Sequence, residues 1–235
     1  MENIAPFEGF PEEGLNFLRT LKKNNNRDWF QPRKTIYEEQ LLQPMRNLLA
    51  GVEAHLVKAK IPLRVSPKAA VFRIYRDIRF SSDKTPYKTH VGGILYKDGK
   101  KDAPGVLYVH LDEKESFTAA GFWQPEREYL TKWRLKMQEA PKDFAKIAHK
   151  LSQKGFPIQL SDDLKRMPRG FDGIAESELA PYFRLQSFIV QQQLSAADLA
   201  SARLPSLIAK FAADAKPLLE YGWSIAVTKQ QVFVD

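Results

Sequence analysis

The apolar residues recur with two periods, and the period changes at residue 71 and back again after residue 124. Residues 11–23 carry Leu15, Leu18 and Leu21 at three-residue steps, the spacing of one buried face on a helix. Glu12 and Glu13 sit at the start and Lys22 and Lys23 at the end, the charge order that a helix dipole favours. Pro11 suits the first turn. Asn24, Asn25 and Asn26 read as a turn, with Asn26 the N-cap of the next segment. Trp29 and Phe30 come early in that segment and read as core anchors. Residues 33–58 hold the strongest helical pattern, with Leu41, Met45, Leu48, Val52 and Leu56 at three- and four-residue steps. Pro44 lies inside it. An interior proline costs about 3 kcal/mol, so the pattern predicts a kink or two helices. Residues 61–67 read as a connection.

From residue 71 the period becomes two. Phe72, Ile74, Ile78 and Phe80 fall on one parity, and Arg73, Tyr75, Asp77 and Arg79 on the other. Alternation of this kind predicts a strand over 71–80 with one dry and one charged face, and Arg76 interrupts the dry row. Residues 81–90 have no apolar period and read as a loop. Further strands are predicted at 91–97, 106–112 and 116–123, separated by an Asp98-Gly99 turn, a Pro104-Gly105 turn and the polar run 113–115. Four successive strand-like runs predict an antiparallel meander. The centre of the last run, Ala119-Ala120-Gly121, is small, which in a strand marks the close approach of another group.

Beyond residue 124 the helical spacing returns, at 125–138 (Tyr129, Leu130, Trp133, Met137) and from Pro141 to a stop at Gly155. Residues 158–160 read as a short strand, 161–173 as a basic loop, 176–182 as a short helix and 185–191 as a strand. Ser195 and Asp198 have the spacing of a capping box. They start a helical tail to about residue 221 that Pro205 must interrupt or restart, and 224–234 reads as a last strand. The fold class predicted is α+β: one domain over residues 1–235, with a largely antiparallel sheet of five or six strands and helices mainly on one face.

Composition narrows the chemistry. The 235 residues contain no cysteine, which removes disulfides, thiol nucleophiles and thiolate metal sites. The N-terminus lacks a secretory pattern, and no run approaches the roughly 20 apolar residues of a membrane helix. A cytoplasmic protein without a membrane partner is the expectation. Net charge is +8, and the isoelectric point is near 9.5. An excess of that size favours encounters with anions, whether small molecules or nucleic acid.

Three constellations could carry function. On the polar parity of 71–80, Arg73, Tyr75, Asp77 and Arg79 would form a platform with Tyr108, His110 and Asp112; the competing reading is a solvated face of cross-strand ion pairs. Cations in two loops form the second: Arg76, Arg79, Lys84 and Lys88 in the first, Arg166 and Arg169, with Lys165, in the other. Arginine forks and lysine charges suit phosphate or carboxylate, provided that the two loops meet over one cleft. Salt bridges of Asp83 and Asp172 within the loops are the competing reading. Asp77 and Tyr87 are the candidates for a general acid or base. Third, His110 and Asp112, with His90, give too few ligands for a metal. No Walker loop, dinucleotide glycine pattern, nucleophile elbow or HExxH occurs, so no cofactor is expected. The leading function is a basic pocket for a phosphate- or carboxylate-bearing small molecule. The alternatives are a nucleic-acid-binding protein using a basic sheet face and a non-catalytic interaction domain.

Three blocks of sequence carry a family resemblance: Asn25-Asn-Arg-Asp-Trp-Phe30, the run from Arg76 through Ser81, Lys84 and Tyr87 to Thr89, and Leu164-Lys-Arg-Met-Pro-Arg-Gly-Phe171. In order and content they resemble a family of conserved hypothetical bacterial proteins, domain of unknown function 2461. The resemblance runs over residues 10–221. It implies a single-domain bacterial protein and brings no activity with it.

Overall fold

The structure, a computed structural model, describes residues 5–66, 70–161 and 163–225. Helix α1 (Glu12–Lys23) forms where its charge order predicts, burying Phe17, Leu18 and Leu21. Asn26 caps α2 (Arg27–Phe30), its side chain accepting from the Trp29 N–H at 2.9 Å. Pro44 does divide the long pattern. A 3-10 turn and α3 (Lys34–Tyr37) lead into a π-helical turn, Glu38–Leu42, and only then α4 (Gln43–Lys58) begins, with Pro44 in its first turn. The Gln43 N–H reaches back five residues to the Glu38 carbonyl. The wide turn thus falls where proline has no donor to give.

The buried face of α4, Met45, Leu48, Leu49, Val52 and Leu56, packs on β1 (Leu63–Val65) and β2 (Val91–Lys97). With β3 (Val106–Leu111), β4 (Phe117–Phe122) and β5 (Phe188–Gln193) these make one open antiparallel sheet in the order β1-β2-β3-β4-β5. The α+β class is therefore as predicted, and of the four runs of the expected meander those at 91–97, 106–112 and 116–123 are strands, with β1 in the place expected for 71–80. Strand β1 escapes the pattern because three residues are too few to show a period. In the β2–β3 register Gly93 faces Val109 and Gly92 faces His110. The Gly93 side takes Met45 and Leu49, so α4 covers that face, and Tyr108 and His110 point to the other.

Packing groups the chain into two compact units, Met1–Ala119 with Gln192–Ala213, and Ala120–Gln191 with Asp214–Asp235. The first has the core just described, together with α8 (Ala196–Leu199), which the Ser195–Asp198 capping box opens as predicted. The second is built on aromatic rings from α5 (Arg127–Glu139), α6 (Pro141–Gln153) and β5. Trp133 stacks on Phe188 at 4.1 Å and meets Phe122 and Phe144 edge-on. Gly121 has φ +142, and a Cβ there would stand 2.0 Å from the Phe188 carbonyl oxygen. The group that the small-residue strand centre admits is the backbone of β5. Arg134 is buried, donating to the carbonyls of Phe183 and Leu185 at 2.8 and 2.9 Å, at the end of α7 (Ala180–Arg184).

Several expectations need correction. Residues 71–80 are not a strand: only Val71 and Tyr75 make isolated bridges, to Gly93 and Tyr87. The alternation misleads because Phe80 is 96% exposed and Phe72 41%, so the supposed dry row is dry only at Ile74 and, in part, Ile78. Residues 158–160 form no strand, although the Gln159 N–H reaches the Ile189 carbonyl. The short helix expected at 176–182 lies slightly later, as α7. Pro205 restarts the chain as α9 (Leu204–Trp223). Ser224 and Ile225 end it in a turn, and the rest of the strand expected at 224–234 lies outside the described residues.

Candidate anion-binding cleft

Residues 71–90 fold back on themselves as an arm. Its backbone donates from Phe72 to Gly92 O, from Arg76 to Pro86 O and from Lys88 to Ile74 O at 2.7–2.9 Å. The arm is fixed at Tyr87. Asn25 donates to the Tyr87 carbonyl at 2.9 Å and accepts its N–H at 3.0 Å, replacing a strand partner on both sides of one residue. The Tyr87 ring is 1% exposed and stacks on Phe30 at 4.1 Å. Two of the sequence blocks, 25–30 and 76–89, thus meet at this point. Burial makes Tyr87 an anchor, and its ring is withdrawn from the surface where an acid or base would work.

Most cations of the arm already hold partners within it. Arg76 donates to Asp83 and to Thr85 Oγ1. The Thr85 N–H and then the Arg76 guanidinium hold the Asp83 carboxyl down at about 2. Arg79 forks onto Asp77 at 3.0 and 2.7 Å, which holds the Asp77 carboxyl below the usual range. Lys84 Nζ donates to the Ile78 carbonyl and Lys88 Nζ to that of Arg73, both at 3.0 Å. The salt bridge of Asp83 anticipated within the loop is therefore present.

In the second unit, Asp163 bridges to Leu185, the Leu164 N–H donates to the Arg184 carbonyl at 2.8 Å, and Phe171 is buried against Phe183 at 5.5 Å. These contacts pin both ends of the other basic loop. Lys165, Arg166 and Arg169 are exposed, and their side chains make no hydrogen bond or ion pair among the described residues.

The first unit contains a cleft of about 340 Å³ that the charge pattern of the sequence does not reveal. Lys34, Tyr37, Glu38 and Arg46, from α3 to α4, line one wall. Phe72, Arg73 and Tyr75 of the arm line the other, and Phe30 also contributes. Lys34 pairs with Glu38 at 3.2 Å. Arg46 and Arg73 are exposed, and among the described residues neither guanidinium makes a hydrogen bond or salt bridge, although the Arg73 charge adds a minor pull on the Asp77 carboxyl. Tyr37 is 5% exposed. Burial pushes its hydroxyl up to about 12, against an opposing pull from Arg46, so it remains a neutral donor at pH 7. Arg73 stands out in the sequence, but as part of a strand face. Lys34, Tyr37 and Arg46 disappear into a helical core pattern. The one signal for them is Pro44, because the π-turn that accommodates it reorients Glu38 to Leu42, and such turns recur at functional sites.

On the face of β3 away from α4, Tyr108 Oη lies 2.9 Å from His110 Nδ1. His110 stacks on Phe117 at 4.7 Å and stands 4.5 Å from the His90 ring. Burial and the neighbouring His90 bring His110 down to about 4, partly opposed by Asp112. Burial and then Lys88 lower His90 as well. Both imidazoles are therefore neutral at pH 7 and can accept a proton. Among the described residues no group of three or more His, Asp or Glu side chains is placed to hold a metal ion. No described helix is long and apolar enough to cross a membrane.

No curated protein and no solved structure matches the chain at a significant level. The profile of the conserved hypothetical protein family DUF2461 matches residues 13–221, a span that takes in the Asn25–Tyr87 clamp, both walls of the cleft and the second basic loop. The chain belongs to that family.

Proposed function

We propose that the protein binds a small molecule bearing phosphate or carboxylate in the cleft between α3–α4 and the arm. The observation that supports the reading is the pair of guanidiniums, Arg46 and Arg73, on opposite walls with no hydrogen bond or salt bridge among the described residues. Guanidinium forks match such anions in geometry and charge. The Lys34–Glu38 pair offsets the carboxylate closest to the site. The volume falls at the lower end of the range of small-molecule sites, and Phe72 and Tyr75 offer apolar faces for the rest of a ligand. The net charge of +8 favours encounter.

The test is a thermal-shift and calorimetric series with nucleotides, sugar phosphates and organic acids. At least one class is expected to raise Tm in a salt-sensitive way, and Arg46→Gln and Arg73→Gln are each expected to weaken that ligand roughly tenfold. Absence of any salt-sensitive stabilisation overturns the proposal, as does a stabilisation that both variants retain in full.

A further inference from the structure

We infer that the anion site of the cleft also takes the backbone phosphate of a single-stranded nucleic acid, gripped along the arm of residues 71–90. The inference rests on the reading of the cleft as an anion site and names a further ligand class for it. Three aromatic side chains of the arm are exposed: Phe72 at 41%, Tyr75 at 46% and Phe80 at 96%. Each has a cation as its sequence neighbour, Arg73, Arg76 and Arg79 respectively. The Arg79 guanidinium lies 5.9 Å from the centre of the Phe80 ring, and Lys88 Nζ 5.6 Å from that of Phe72. A surface on which rings and cations alternate matches a polymer in which bases and phosphates alternate: rings stack on bases, and cations track the backbone.

Phe72 and Tyr75 also line the cleft beside Arg73, so two stacking faces and one guanidinium share a wall. The cations held within the arm still contribute their field. Lys84 and Lys88 donate to neutral carbonyls, which leaves their charge uncompensated, and residues 71–90 contain five Lys and Arg against two Asp. The arm is also fixed in advance. The Asn25 clamp and the Phe30–Tyr87 stack hold its base, which lowers the ordering cost of binding.

Two other macromolecular partners fit less well. A bilayer favours apolar side chains grouped at one depth, whereas these three rings are spread along the arm, with Asp77 and Asp83 on either side of Phe80. A duplex has its bases already stacked and offers the rings nothing to cover.

The test is fluorescence anisotropy with labelled oligo(U) and oligo(dT) of about twelve nucleotides, long enough for one binding site of this type. Both are expected to bind with affinity that falls as salt rises. Phe80→Ala and Tyr75→Ala should each weaken binding roughly tenfold, and Phe80→Ala, which lies outside the cleft lining, should leave stabilisation by pyrophosphate unchanged. Phe80 is almost fully exposed, so its loss leaves the fold intact. Arg73→Gln should weaken both probes. Tighter binding of oligo(U) than of oligo(dT) would assign the sugar to RNA, and equal binding would make the grip indifferent to it; either result supports the inference. It is overturned if duplex DNA binds as well as single strands, if a mononucleotide competes as well as the oligomer, or if Phe80→Ala has no effect. Binding to phosphatidylserine vesicles without binding to the oligomers overturns it in favour of a membrane. If pyrophosphate stabilises the protein through Arg46 and Arg73 while the oligomers do not bind, only this inference falls. If neither probe binds and no organic acid stabilises the protein, the cleft reading falls with it.

Discussion

The two basic loops look alike in sequence and behave oppositely in structure. Each is short, rich in turn formers and carries several cations next to aspartates. In the arm, Arg76 reaches Asp83 and Thr85, Arg79 reaches Asp77, and Lys84 and Lys88 find carbonyls of the arm itself. In the loop around Arg166 and Arg169, the backbone is held at Asp163, Leu164 and Phe171, and the cationic side chains remain exposed without partners among the described residues. The difference lies in closure. A chain that doubles back brings its own acceptors within reach of its own donors, whereas a chain pinned only at its ends does not. Charge density therefore locates a field but not a ligand contact, and in the cleft of the first unit the guanidiniums without a hydrogen bond or salt bridge among the described residues are Arg46 and Arg73.

The largest effects should come from the anchors. Tyr87→Ala and Phe171→Ala each remove a buried ring, at a cost of about 3–5 kcal/mol in urea unfolding. They should differ in binding: Tyr87→Ala frees the arm and should abolish anion-dependent stabilisation, and Phe171→Ala should keep it. Equal loss of binding in both would break the contrast between the loops. Asn25→Ala comes next, leaving the Tyr87 N–H and carbonyl without their partner, at about 1–3 kcal/mol. Asn25→Asp retains the acceptor and loses the donor, so it should fall between wild type and Asn25→Ala.

Legibility in the sequence depends on range. The caps at Asn26 and Ser195, the charge order of α1, the break at Pro44 and the alternation of Leu107, Val109 and Leu111 are set by neighbours a few residues away, and each appears where the pattern places it. The small centre at Gly121 is legible as a close approach, without its partner. The arm is misread because alternation over ten residues cannot distinguish a strand from a chain bent by one arginine seeking Asp83. The cleft is illegible for a stronger reason: its walls are some thirty residues apart, and Arg46 and Arg73 are defined by the absence of a partner, which only the fold reveals.

Acid should loosen the arm and its surroundings in two steps. His110 and His90 have folded pKa values below the ordinary 6.5. The stability they contribute is complete above 6.5 and is lost as pH falls from there toward about 4, because the unfolded chain takes up protons first. Asp83 is lowered from 3.8 to about 2, so its contribution persists to pH 3.8 and is lost below it. Urea midpoints of His110→Gln measured from pH 7 to 4 should fall less steeply than those of wild type. An unchanged slope would mean that the His110 ring is hydrated in solution.

The smallest expected effect is also the most discriminating for the comparison. Arg166→Gln combined with Arg169→Gln should change stability by no more than about 0.5 kcal/mol, as for surface positions that touch nothing. Arg76→Gln should lower the urea midpoint measurably, because it leaves Asp83 and Thr85 without their shared donor. The same single change of guanidinium to amide thus separates a cation that builds a loop from one that merely decorates it. If the double variant proves as destabilising as Arg76→Gln, then the second loop also closes on itself in solution, and openness can no longer explain why its charges remain free.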